Sequence, residues 1–127
     1  MKYSASRAVI GYSTREGVML SIVWMDGHRN RLGNKLLSNY NDGSKSADLV
    51  AAATHGIRVL GDTIEDTEFG KTRVSKDYEV DQPDDVDDRV KQFMNRHRCQ
   101  FAYIWDEDQD QWLVYDGTGI PTKLTKA

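Results

Sequence analysis

Eight consecutive residues, WMDGHRNR from Trp24 to Arg31, bring an indole, a carboxylate, an imidazole and two guanidinium groups to one turn of the chain. Lys35 follows four residues later, one helical turn beyond Arg31. These types suit the reversible binding of something planar and anionic. Guanidinium grips phosphate with two parallel, charge-assisted hydrogen bonds, and an aromatic ring offers a stacking face to a base. If a helix starts just after the turn, its first free N–H groups also favour an anion. Lys71, Arg73 and Lys76 form a second basic patch that could meet the first, within the fold or across a subunit boundary. The candidate ligand-binding set is therefore Trp24, Asp26, His28, Arg29, Arg31, Lys35, Arg73 and Lys76, with Lys35 available to a symmetry-related second site. Taken singly, each has a plainer reading: Trp24 in the core, Asp26-Gly27 as a turn, the bases in solvent. It is the combination that points to a site.

Other chemistry is harder to find. Gly70-Lys71-Thr72 looks like the end of a phosphate-binding P-loop, but the position needing the first glycine is Glu65. Asp106, Asp108 and Asp110 have the spacing of a calcium loop, yet Gln111 stands where glycine is required and Gly117 where glutamate is. A polar hairpin turn explains them better. Cys99 beside His97 lacks an orienting acid and reads as a small core residue. No Ser-His-Asp or paired-acid arrangement stands out, so the chain reads as a non-enzyme. A single cysteine excludes an internal disulfide, and three histidines do not suggest a zinc site; neither metal nor cofactor is expected.

Composition sets the frame. The 127 residues carry 39% hydrophobic and 29% charged side chains, as expected for one soluble domain over 1–127. A net charge of −3 does not attract DNA or RNA, so any anion site is local. No apolar run approaches the about 18 residues that span a membrane, and the first residues do not read as a secretory signal. A reducing cytoplasm is the expected compartment.

The elements that must position the candidates can be read from pattern. Arg7–Tyr12 and Val18–Trp24 are β-branched and aromatic runs around a polar loop ending in Gly17, which is a hairpin signature. Cys99–Trp105 and Gln111–Tyr115 form a second hairpin around Asp106–Asp110. Asn30–Tyr40 reads as a helix with Leu32, Leu36, Leu37 and Tyr40 on its apolar face, Asn30 as its N-cap and Asn41-Asp42-Gly43 as its stop. A second helix runs from Ser44 or Ser46 to Gly56. A third spans Gln82–Arg98, with Pro83 in its first turn, carboxylates at its start and Arg96, His97 and Arg98 at its end. Between 56 and 76 the pattern is poor, with Thr72–Val74 as a candidate strand. The expected fold class is α+β: an antiparallel sheet from the N- and C-terminal hairpins, with helices packed on one face.

Within this frame, Ser21–Tyr40, with Asp26-Gly27, Gly33, Leu36-Leu37 and Tyr40, resembles a signature of small phage proteins. The aromatic hairpin Phe101–Trp105 and Trp112–Gly117, and the Leu60-Gly61-Asp62 loop, are similar to the same family, the Thoeris anti-defence sponges. That resemblance implies binding and sequestration, without cleavage, of a cyclic ADP-ribose-type immune signal. Some relatives hold cyclic oligonucleotides of the CBASS kind. It further implies a homodimer or homohexamer in the host cytoplasm, with pockets at subunit boundaries. The chain departs from the pattern in Met25, where a ring is usual, in Trp24, where His is common, and in His28-Arg29, where Tyr-Pro is usual. The added guanidinium suits a more phosphate-rich ligand. An alternative reading is a phage-encoded inhibitor of a host enzyme, acting through the acidic surface of Glu65–Glu68 or Asp77–Asp88. A hydrolase of the same signal is the weakest reading, for want of a nucleophile.

Overall fold

The computed structural model describes residues 4–82, 84–117 and 120–127, with the side chains of 4–6 and 84 excepted. The expectation for Pro83 lies outside the described residues. Among the described residues eight strands form one sheet. The first hairpin pairs β1 (Ser4–Ser13) with β2 (Gly17–Val23), antiparallel, through Tyr12↔Met19 and Ala8↔Val23. The last pairs β6 (Cys99–Asp106) with β7 (Gln111–Tyr115), and β8 (Thr122–Lys123) adds to β7. On the other side β3 (Ile57–Val59) and β4 (Glu68–Phe69) extend the sheet beyond β2, and β5 (Lys76–Glu79) pairs with the first half of β2. The fold is α+β.

Two particulars differ from the sequence reading. The hairpins join through a parallel pair, β1 with β6, running from Ala8↔Phe101 to Ser13↔Asp106. Helices also cover both faces. α1 (Asn34–Asn39) and α2 (Gly43–Ala52) lie on one side, where Leu36, Leu49 and Val50 pack on Ala8, Ile10, Tyr103 and Trp105. α3 (Asp84–His97) lies on the other, where Val90, Phe93 and Met94 pack on Val9, Leu20, Ala102 and Ile104. The physical reason is visible in the strands themselves. Ala8-Val9-Ile10 and Ala102-Tyr103-Ile104-Trp105 are apolar at consecutive positions, and successive residues point to opposite faces. Strands buried on both sides need cover on both sides.

Local chemistry fixes the ends of the elements. Thr14 Oγ1 accepts from the Glu16 and Gly17 N–H groups, at 3.2 Å each, to close the first turn. Asp106 plays the same part in the second, accepting from the Asp108 N–H at 3.0 Å, so the acidic triplet is a hairpin turn. Asp42 is the N-cap of α2, its carboxylate accepting from the Lys45 N–H at 2.7 Å. At the start of α3 the Asp85 carboxylate accepts the Gln82 N–H at 3.0 Å. Thr72–Val74 is not a strand; Val74 and Ser75 both donate to the Thr54 carbonyl at 3.1 Å, and β5 follows.

His97 closes α3 with its ring 4.4 Å from that of Phe93, partly buried beside Arg96. Burial, then the Arg96 and Arg7 charges, lower its pKa from the ordinary 6.5. On acidification the unfolded chain therefore takes up this proton first. The stability tied to neutral His97 is complete above about pH 6.5 and is lost as pH falls through the lowered folded value. Thermal melts between about pH 7.5 and pH 5.5 should show a falling midpoint that flattens in His97→Gln; an unchanged slope would remove His97 from the cause.

Candidate functional site

The site is built where the chain leaves β2. Trp24 donates its backbone N–H to the Ile57 carbonyl at 2.9 Å, pinning the chain to β3. Its indole lies against two glycines: a Cβ on Gly56 or Gly70 would stand 2.6 Å or 2.5 Å from its ring atoms. Within the Asp26-Gly27 turn it is Asp26, not the glycine, that takes the left-handed conformation, at φ 60°. A short polar side chain tolerates that conformation better than most. Gly27 is instead held by its carbonyl, which accepts a buried 2.7 Å hydrogen bond from the Tyr103 hydroxyl.

The helix does not begin at Asn30 with a side-chain cap. Arg29–Gly33 is one turn of π-helix leading into α1. Three of its N–H groups are already taken: Arg31 donates to the His28 carbonyl at 3.1 Å, Leu32 to that of Asp26 at 3.1 Å and Gly33 to that of His28 at 3.4 Å. The helix mouth thus offers these amides to no anion. A π-turn inserted into a helix is often found at functional sites, because the extra residue redirects the side chains around it.

Those side chains line a cleft of about 500 Å³ between the π-turn and α1 on one wall and 59–62 on the other. Arg31, Lys35 and Asn39 follow one another at four-residue spacing, as do Asn30, Asn34 and Ser38, giving two polar stripes along the helical wall. Leu32 and Leu60 are buried in the lining, while Met25 and Val59 are exposed at 51% and 39%. Lys35 Nζ donates to the Leu60 carbonyl at 2.9 Å and stands 3.8 Å from the Asp62 carboxylate. Arg31 Nε stands 3.8 Å from Asp26. Exposed pairs at that distance are worth about 0–1 kcal/mol, so both cations can be recruited by a better partner. Asn39 donates to Asp62 at 3.3 Å, and beyond this contact a second hollow of about 290 Å³ contains Lys45 and Thr63. The two hollows share Ser38, Asn39 and Asp62, making a two-lobed groove.

Of the residues named from sequence, Asp26, Arg31 and Lys35 come together here. Trp24, His28, Arg29, Arg73 and Lys76 do not line the cleft. Arg29 turns toward the C-terminal segment, where Nη2 donates to Thr125 Oγ1 at 3.4 Å, and its charge opposes the strong upward push of burial on the Tyr103 pKa. The exposed His28 has its ring 6.4 Å from that of Phe101. Arg73 is exposed on the loop before β5. Lys76 lies 5.4 Å from the Tyr78 ring centre, with Arg89 of α3 at 5.0 Å from the same ring. The sequence reading missed Asn30, Asn34, Asn39, Val59 and Asp62; continuing the Arg31–Lys35 spacing by one more turn would have found Asn39, while Asn30 and Asn34 each stand one position before a member of that pair.

Among the described residues no three His, Cys, Asp or Glu groups stand together as a metal site, and none of their helices is long and apolar enough to cross a membrane. Comparison with known proteins finds no matching family model, no matching curated protein and no matching solved structure. Cys99 is buried, and burial pushes its thiol up to about 12, so it is protonated and a poor nucleophile at neutral pH. Iodoacetamide at about pH 8 should leave the native protein unlabelled and modify it fully in denaturant; rapid native labelling would contradict this burial.

Proposed function

We propose that the protein is a non-catalytic binder that holds a cyclic nucleotide signal in the two-lobed groove and so withholds it from its effector. The observation that carries this reading is the pair of cations, Arg31 and Lys35, one helical turn apart in a cleft with an apolar rim, each with only a 3.8 Å contact to a carboxylate. A phosphate placed between them exchanges two loose carboxylate contacts for charge-assisted hydrogen bonds. Asp62 and Asn39, at the junction of the lobes, match ribose hydroxyls as acceptor and donor. Met25 and Val59 offer apolar surface to a base face. The volume lies in the range of about 300–1,000 Å³ typical of small-molecule sites. Lys45 gives the smaller lobe its own cation, which fits a ligand with phosphates or rings at two ends. The resemblance to the Thoeris anti-defence sponges supports the same assignment, with action in the infected cell's cytoplasm and assembly as a homodimer or homohexamer.

Calorimetry with cyclic ADP-ribose isomers, ADP-ribose and cyclic dinucleotides tests the reading. One member of the panel should bind and be recovered intact by chromatography, as a hydrolase would not allow. Lys35→Glu and Arg31→Glu should each weaken it at least about tenfold, and Arg73→Ala should not. No heat with any of them would overturn the proposal.

A further inference from the structure

A separate concavity, of about 570 Å³, lies away from the candidate site, between α2 and the strip of sheet formed by β5, β2 and the end of β1. We propose that this groove docks a basic amphipathic helix of a partner protein, whichever ligand occupies the cleft.

The pairing register sorts the side chains. Tyr12 faces Met19, Met19 faces Asp77, and Gly17 faces Glu79. Cross-strand partners share a face, so Asp77 and Glu79 stand with Tyr12 and Met19 on the α2 side. Lys76 and Tyr78 fall on the opposite side, with α3. β5 thus turns its carboxylates to the groove and its cation away from it. Glu16 adds a third carboxylate at the rim, and none of the three makes an ion pair among the described residues. The negative field continues to the far end of the groove, where Glu107 and Asp110 act on the Tyr12 hydroxyl.

The floor is apolar. Tyr12 and Met19 are only partly buried and pack against the α2-side core. On the wall, Ala47 and Ala51 are four residues apart on α2, a small-residue ridge along which a second helix can approach closely. Apolar floor and acidic rim together are complementary to a helix with leucine-like residues on one face and lysine or arginine on the other. The same rim repels nucleic acid. Of the two acidic stretches in the sequence, 77–88 contributes Asp77 and Glu79 to this groove, whereas 65–68 contributes nothing to it.

The test uses the whole protein and a fluorescein-labelled helical peptide of about 18 residues, five turns, with Leu on one face and Lys on the other. Fluorescence anisotropy should show saturable binding, lost in a counterpart peptide with Glu for Lys. The double variant Asp77→Lys/Glu79→Lys and the single variant Ala51→Trp should each weaken binding at least about tenfold, and Glu65→Lys/Glu68→Lys should change it less than about twofold. No binding, or equal weakening by the Glu65/Glu68 pair, would overturn the proposal. So would sedimentation velocity showing a dimer that Ala51→Trp dissociates, since the groove would then belong to a second copy of the chain.

Discussion

The parallel pairing of β1 with β6 is the constraint from which the rest of the architecture follows. It joins the first hairpin to the last across most of the chain, with Ala8 to Ser13 alongside Phe101 to Asp106. Parallel neighbours cannot be linked by a tight turn, so everything between them must act as a crossover. Both strands are flanked on both edges and apolar on both faces, and the molecule answers with two separate cores. Trp105 and Trp112, edge to face at 5.6 Å, fill one; Phe93 and Ile104 fill the other. The hairpin turns meet at the sheet's end, where the Glu107 backbone N–H donates to the Ser13 carbonyl at 3.0 Å and the Arg15 side chain pairs with that of Asp108 at 3.0 Å.

The candidate cleft is a consequence of that crossover. The chain leaving β2 must climb from the sheet to α1, and Tyr103, fixed in the central β6, holds the step through the Gly27 carbonyl. The opposite wall is equally restrained. Tyr40 donates to the Gly61 carbonyl at 2.8 Å, Gly61 donates to Thr67 Oγ1 at 3.0 Å, and Thr67 donates in turn to the Thr63 carbonyl at 2.8 Å. Two backbone walls are therefore set before any ligand arrives, while Arg31 and Lys35 between them stand 3.8 Å from their carboxylate neighbours. Preformed walls lower the ordering cost of binding, and the two long cationic side chains supply the charge. The C-terminal segment borders the same region: Asn34 pairs with the Ala127 backbone in both directions, and Lys126 donates to Ser38.

Much of this was legible in the sequence, and the reasons for the rest are physical. The hairpins were clear because β-branched and aromatic runs flank turns whose Thr and Asp side chains bond their own backbone. Their joining was not, because periodicity describes a strand's faces and says nothing of its neighbour. Two-sided burial was in fact written in Ala8-Val9-Ile10 and Ala102–Trp105, runs too apolar for a strand with one wet face. The segment from 56 to 76 stayed obscure because β3 and β4 are only three and two residues long and are held by backbone bonds that any side chain permits. In the site, Asp26, Arg31 and Lys35 were placed by local spacing alone. Lys76 and Arg73 depended on where β5 pairs and which way it alternates. Arg29 depended on the position of Thr125, 96 residues away.

The most direct measurement of the central claim is a backbone amide NMR titration of the isotopically labelled protein with cyclic ADP-ribose isomers and cyclic dinucleotides. Shifts with a binding member should gather in 25–39 and 59–65, on the two walls of the groove, and leave 71–79 and α3 unmoved. Shifts centred on Arg73 and Lys76, or spread without pattern, would contradict it.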